Sequence, residues 1–159
     1  MEYEVNPLSV YKNNIALKII SNDNLVKALI INDSRFLDQS LPKNFEISSL
    51  LYSQIFPYAF VPDINTEPQT FITMSFDNFR YINNKFKSGI VTFYVFTYKS
   101  LIPTDFGLRY DYILHQIDQM FNKKYEVGAF NLVINGGGDF HANENYYGST
   151  ASYKFTDFQ

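Results

Sequence analysis

The chain has no cysteine, no tryptophan and few charges: 18 % of its residues are Asp, Glu, Lys or Arg, for a formal net charge of -3. Without cysteine, disulfides and thiolate metal sites are excluded, and a reducing compartment is compatible with the composition. No apolar run approaches the ~18 residues of a membrane-spanning helix, and Met1-Glu2-Tyr3-Glu4 lacks the basic opening and apolar stretch of a signal peptide. The expectation is a soluble protein made in the cytoplasm, with no membrane partner. Sparse charge leaves Asn, Ser and Tyr to supply surface polarity, so neighbouring protein surfaces would meet little repulsion.

What is abundant is aromatic side chain, with 16 Phe and 13 Tyr in 159 residues. A chain of this length fits one domain, 1–159, and can bury roughly 70 % of its unfolded surface, so its core needs no metal. One such core does not readily enclose all these rings. Some are expected at the surface, where tyrosine favours protein contacts; an A+T-rich coding bias would raise the same residues.

The chain is organised around 88–122. In Gly89–Tyr98, Ile90, Thr92, Tyr94, Phe96 and Tyr98 alternate with Val91, Phe93 and Val95, which predicts a strand covered on both faces. Pro103 stops it, and Thr104 and Asp105 are suitable N-caps for a helix. Phe106, Tyr110, Ile113, Leu114, Ile117, Met120 and Phe121 then recur at three- and four-residue steps, with Arg109, Asp111, Gln116, Asp118, Gln119 and Asn122 between them. This pattern is an amphipathic helix whose apolar face seeks the preceding sheet.

Residues 1–8 read as an N-terminal arm, because Asn6-Pro7 interrupts regular structure. Ser9 can cap a helix to Ile20, Asn22-Asp23-Asn24 breaks it, and a second helix runs to about Ile31. A long proline-containing connection follows over 32–69, with helical turns confined to Ile47–Gln54 and an extended, unpaired or edge path through Gln54–Asp63. Thr70–Arg80 alternates as a strand and joins Gly89–Tyr98 through a hairpin longer than a two-residue turn, with Asn83-Asn84 at its tip. A third strand covers Ala129–Asn135, a polar loop follows, and a fourth covers Thr150–Phe158. The fold class is therefore α+β, a four-stranded, mainly antiparallel sheet with the N-terminal helices and the central amphipathic helix on one face.

Catalytic patterns are weak. Gly136-Gly137-Gly138-Asp139 follows a strand but lacks the Gly-Lys-Ser/Thr ending and the helix of a phosphate loop. His115 and His141 could meet Asp111 or Asp139 at a metal only without any recognisable ligand spacing, so no metal and no cofactor are expected. No Gly-X-Ser-X-Gly elbow occurs. Asp111 and Asp118 lie two turns apart on one helix, where solvated charges are the default. Lys123-Lys124 is the only adjacent basic pair, too little for a nucleic-acid stripe. The expectation is a protein that is not an enzyme; the alternative is a small ligand-binding or enzymatic domain using the 135–149 loop.

Several strings in order, Asn22-Asp23-Asn24-Leu25, Ile55-Phe56-Pro57-Tyr58-Ala59-Phe60-Val61-Pro62, Phe71-Ile72-Thr73-Met74-Ser75-Phe76-Asp77 and Leu108-Arg109, together with the order of elements, give a chain that resembles the small neck and tail-completion proteins of tailed bacteriophages. The resemblance implies a virion protein at the head-tail junction: a neck, head-closure or tail-terminator subunit. It would form a homo-oligomeric ring, joining portal or connector to tail tube while genomic DNA passes through the lumen without specific binding. It implies no catalytic residue. Candidate interface residues are Phe56, Tyr58 and Phe60 in the proline-rich segment, Tyr81 and Phe86 at the hairpin tip, and Tyr146 and Tyr147 in the polar loop, where open strand edges could pair with another copy.

Overall fold

A computed structural model describes residues 7–82, 85–123 and 130–157. The helices are α1 (Pro7–Ile20), α2 (Asp23–Ile30) and α3 (Arg109–Phe121). The strands are β1 (Ile55–Phe56), β2 (Thr70–Ile82), β3 (Lys85–Tyr98), β4 (Pro103–Thr104), β5 (Gly107–Leu108), β6 (Phe130–Asn143) and β7 (Tyr146–Asp157). Five strands form one sheet in the order β1-β2-β3-β7-β6, and β4 and β5 form a two-stranded ribbon. All pairings are antiparallel except β1 with β2. The class is α+β as expected, with one strand more than the four anticipated. That strand comes from Ile55-Phe56, which takes the edge path by pairing alongside Ile72 and Thr73.

Alternation in β3 sorts the two faces. Val91, Phe93 and Val95 join Ile72 and Met74 of β2 and Ala151, Tyr153 and Phe155 of β7 in a core closed by Ile15, Ile19, Leu25, Leu29, Ile113, Ile117 and Phe121 of the helices. Phe121 stacks on Phe93 with centroids 5.7 Å apart, and the buried Tyr153 donates its hydroxyl hydrogen to Asp118 at 2.8 Å. Desolvation, with the Asp118 carboxylate beside it, raises the Tyr153 pKa, so the phenol stays protonated as this donor. Tyr94, Phe96 and Tyr98 of β3 face the other way, into a second cluster. Coverage on both faces follows the alternation.

The helix starts differ from expectation. α1 begins at Pro7, because a ring-fixed φ and a missing N–H suit the first helical position. The expected arm therefore loses Pro7 and Leu8, and its remainder, 1–6, lies outside the described residues. Asn22 caps α2 by accepting from the Leu25 N–H at 3.0 Å. α3 begins at Arg109, not near Thr104: β4 and β5 make a tight ribbon in which Gly107 has φ 92° and the Thr104 hydroxyl bonds to the Gly107 carbonyl. A left-handed glycine and a side chain that competes for backbone groups favour the turn over another helical turn.

Two further expectations are corrected. Ile82 pairs with Lys85, so only Asn83-Asn84, outside the described residues, separates the paired ends of β2 and β3. The anticipated 135–149 loop is mostly strand: β6 runs through the glycines to Asn143 and turns back at Glu144-Asn145 into β7. A register shift between Ile134 and Gly136, where Gly136 has φ 151°, absorbs the change of course, after which Gly137 and Gly138 pair with Ala151 and Thr150. Pairing satisfies backbone groups that a loop would leave to water.

Thr70 and Thr97 lie opposite each other across β2 and β3, fully buried, and neither hydroxyl has a hydrogen-bond partner among the described residues. Replacing both by valine removes two desolvated hydroxyls and keeps the branched shape. The double variant should gain about 1 kcal/mol, raising Tm by roughly 2–4 °C in a thermal melt. A fall of that size would mean that the hydroxyls are satisfied.

Candidate interaction surface

The second face of the sheet carries Phe71, Phe96 and Tyr146, and across it runs the connection that leaves β1. Ile55 enters the helix-side core and Phe56, the next residue, enters this one. Phe56 stacks on Phe60 with centroids 3.9 Å apart at 11°, and both approach Phe71. Prolines keep this stretch from laddering along its length, so side chains near the β6–β7 turn bond its carbonyls. Asn143 Nδ2 donates to Pro62 O, Asn145 Nδ2 to Ile64 O and the Tyr146 hydroxyl to Glu67 O, each at 3.1 Å. Burial raises the Tyr146 pKa, which keeps its hydroxyl a donor at neutral pH.

The connection is thus tied down while its outer side chains stay exposed. Tyr52, Tyr58, Val61 and Ile64 are 44–59 % exposed. Tyr52 has φ 64°, its N–H bonding to Ile55 O at 2.8 Å, and its ring lies 6.5 Å from that of Tyr58. A left-handed aromatic residue costs about 1–2 kcal/mol.

At the opposite edge of the sheet, Val133 and Ile134 of β6 are 41 and 45 % exposed. The segment after α3 covers the start of that edge: Lys123 N–H bonds to Leu132 O at 2.6 Å, and Ile134 N–H donates to Asn122 Oδ1 at 3.1 Å. From Asn135 to His141 the backbone of β6 pairs only with β7 among the described residues, and the Ser149 and Thr150 hydroxyls, also from β7, donate to Gly138 O. At the other border, β1 covers β2 only at Ile72 and Thr73.

The candidate residues divide. Tyr58 and Tyr147 are exposed, and Tyr147 stacks on the exposed His141 with centroids 6.0 Å apart; Phe60 is half-buried. Phe56 and Tyr146 are buried, which corrects the expectation that they face a partner: they anchor the connection from beneath. The side chains of Tyr81 and Phe86 lie outside the described residues. Tyr52, Val133 and Ile134 were missed. For the β6 pair a signal existed, since adjacent Val133 and Ile134 point to opposite faces of one strand and an edge strand seldom buries both.

No group of three His, Asp or Glu side chains suited to a metal occurs among the described residues. The groove between connection and sheet, lined by Ala59, Phe60, Val61, Thr73, Tyr94, Phe96 and Phe140, holds about 230 Å³, below the ~300 Å³ where ligand pockets begin. Burial is the first cause of the raised Asp111 pKa, and the charge of Asp139 adds to it. The ligand-binding or enzymatic alternative relied on a loop that is a paired strand. Among the described residues no helix is long and apolar enough to cross a membrane.

No curated protein and no solved structure matches the chain. A family model described as YomW does match, over residues 22–155, from the N-cap of α2 to Phe155 in β7. This phage-associated family points to a phage protein, and with most of its length matched the chain belongs to the YomW family.

Proposed function

We propose that this protein is a structural subunit of a tailed-phage virion, a neck or tail-terminator protein that forms a ring at the head-tail junction and joins portal to tail tube. One observation carries the reading. The two borders of a single sheet present different apolar, incompletely paired surfaces: the tethered 52–64 connection beside β1, and Val133-Ile134 with the open edge of β6. Two unlike patches on opposite sides are what a head-to-tail contact requires, and such contacts close into a ring when the rotation between subunits allows. Membership in a phage-associated family fits the setting. DNA would pass through the lumen, and the subunit would do no covalent chemistry.

The head-to-tail geometry has a specific test. Tyr58→Asp spoils one patch and Ile134→Lys the other, so each variant alone should stay monomeric. An equimolar mixture should form dimers and stop there, because one intact pair of patches remains and the next contact is blocked. Light scattering coupled to size exclusion reads this directly. Rings from either single variant, or a mixture that stays monomeric when the wild type assembles, would contradict the arrangement.

A further inference from the structure

On the sheet face turned away from the helices, two register shifts bracket Arg80, one after Asp77 and one before Tyr81. Between them Asn78 takes a left-handed backbone with φ 55°. Bulges redirect side chains from regular alternation, and strain at a non-glycine residue persists where the surroundings enforce it. Arg80 pairs in register with Ser88 and Lys154 with Ile90, so the strand order β2-β3-β7 sets the two cations on either side of β3. With strands ~4.8 Å apart, their backbones stand on the order of 10 Å from each other. Gly89 contributes backbone alone, because a Cβ there would come within 2.9 Å of the Phe155 ring packed on the opposite side.

These features enclose an open depression of about 340 Å³ lined by Asn78, Arg80, Ser88, Gly89, Ile90 and Lys154. Among the described residues neither Arg80 nor Lys154 forms an ion pair. The neighbouring acid, Asp77, instead accepts from the Ser75 hydroxyl at 3.4 Å. In a chain of net charge -3, two cations without an ion-pair partner among the described residues flank a hydroxyl and an amide, with the Asp77 carboxylate beside them on the same face, and together make a local attraction for anions.

We propose that this depression binds the phosphodiester backbone of nucleic acid. Arg80 and Lys154 supply the charge, and the Ser88 hydroxyl and the Asn78 amide donate hydrogen bonds to phosphate oxygens. An open trough with a cation on each flank suits an extended polyanion better than a single small oxyanion, which is held by donors closing around it. Facing the site onto a DNA path rests on the ring reading; the site itself belongs to one folded subunit.

The test measures anisotropy of a fluorescently labelled random-sequence DNA duplex across a salt series, with wild type and the Arg80→Ala/Lys154→Ala double variant. Both side chains are exposed, so circular dichroism should show unchanged melting. The double variant should lose at least ten-fold in affinity at low salt, and its slope of log K against log salt should flatten by about 2, one for each lost phosphate contact. A wild type that does not bind, or a double variant that binds as tightly, overturns the proposal. In a second arm, inorganic phosphate is titrated against backbone amide spectra at constant ionic strength. Shifts confined to Ser88–Ile90 without duplex binding would assign a free oxyanion instead and also overturn it. A protein that never assembles can still pass this test, and one that assembles can fail it.

Discussion

Replacing Arg109 by methionine should lower the unfolding free energy by about 3–5 kcal/mol, because buried backbone carbonyls lose a charged donor at roughly 1–3 kcal/mol for each acceptor left unsatisfied. The guanidinium is fully buried and meets only backbone carbonyls: Nε donates to Leu101 O at 2.9 Å, Nη1 to Ala28 O at 2.9 Å and Ile31 O at 2.8 Å, and Nη2 to Asp33 O at 3.1 Å. Ala28 and Ile31 belong to the C-terminal end of α2, where carbonyls lack intrahelical partners and a cation is favoured. Arg109 is also the first residue of α3, the wrong end of that helix for a positive charge, so its placement serves α2. The Phe36 ring packs 5.0 Å from the guanidinium carbon. Desolvation pushes the Arg109 pKa down to about 10, which leaves it charged at neutral pH.

Methionine fills similar volume and satisfies none of these carbonyls. Tm should fall by roughly 6–20 °C, and Arg109→Lys should recover only part, because an ammonium lacks the planar fork that spans several acceptors. A melt within about 2 °C of wild type would show that water replaces the guanidinium without cost.

Gly148→Ala should cost about 3 kcal/mol or more, above the usual 1–3 kcal/mol of overpacking. A Cβ there would overlap the Val95 carbonyl oxygen and stand 2.7 Å from Phe96 Cα, both in the backbone of the central strand β3. Backbone in mid-sheet has no rotamer into which to retreat, so the β3–β7 pairing itself must open. Gly138→Ala is the control: an added methyl meets nothing within 4 Å, and the change should stay within about 0.5 kcal/mol. Denaturant melts of both variants read the contrast, and equal stabilities would contradict this account of the pairing.

Strands β2 and β3 and the two faces of β3 were legible because alternation of β-branched and aromatic residues is a local signal. So was the apolar stripe of α3, where Ile113, Ile117 and Phe121 are all buried. The glycine run was misread because glycine marks turns by default, and only its partners across the strand, Ala151 and Thr150, show that it lies in a sheet. Arg109 fell on the polar face by type, since three of its four acceptors lie about 80 residues away in sequence. Tyr146 read as a loop aromatic for the same reason: the groups that bury it come from β2, β3 and the connection. Position along the chain showed which stretches were sticky; tertiary packing decided which of their rings stayed outside.

The claim beneath these readings is that the protein works by joining copies of itself and its neighbours through two unlike borders of one sheet. Mass photometry of the wild type across a concentration series, alone and then with candidate portal and tail-tube proteins, tests it most directly. The account predicts a closed species at one fixed integral multiple of the 18.5 kDa subunit. A mass that stays at 18.5 kDa under every one of those conditions would contradict it.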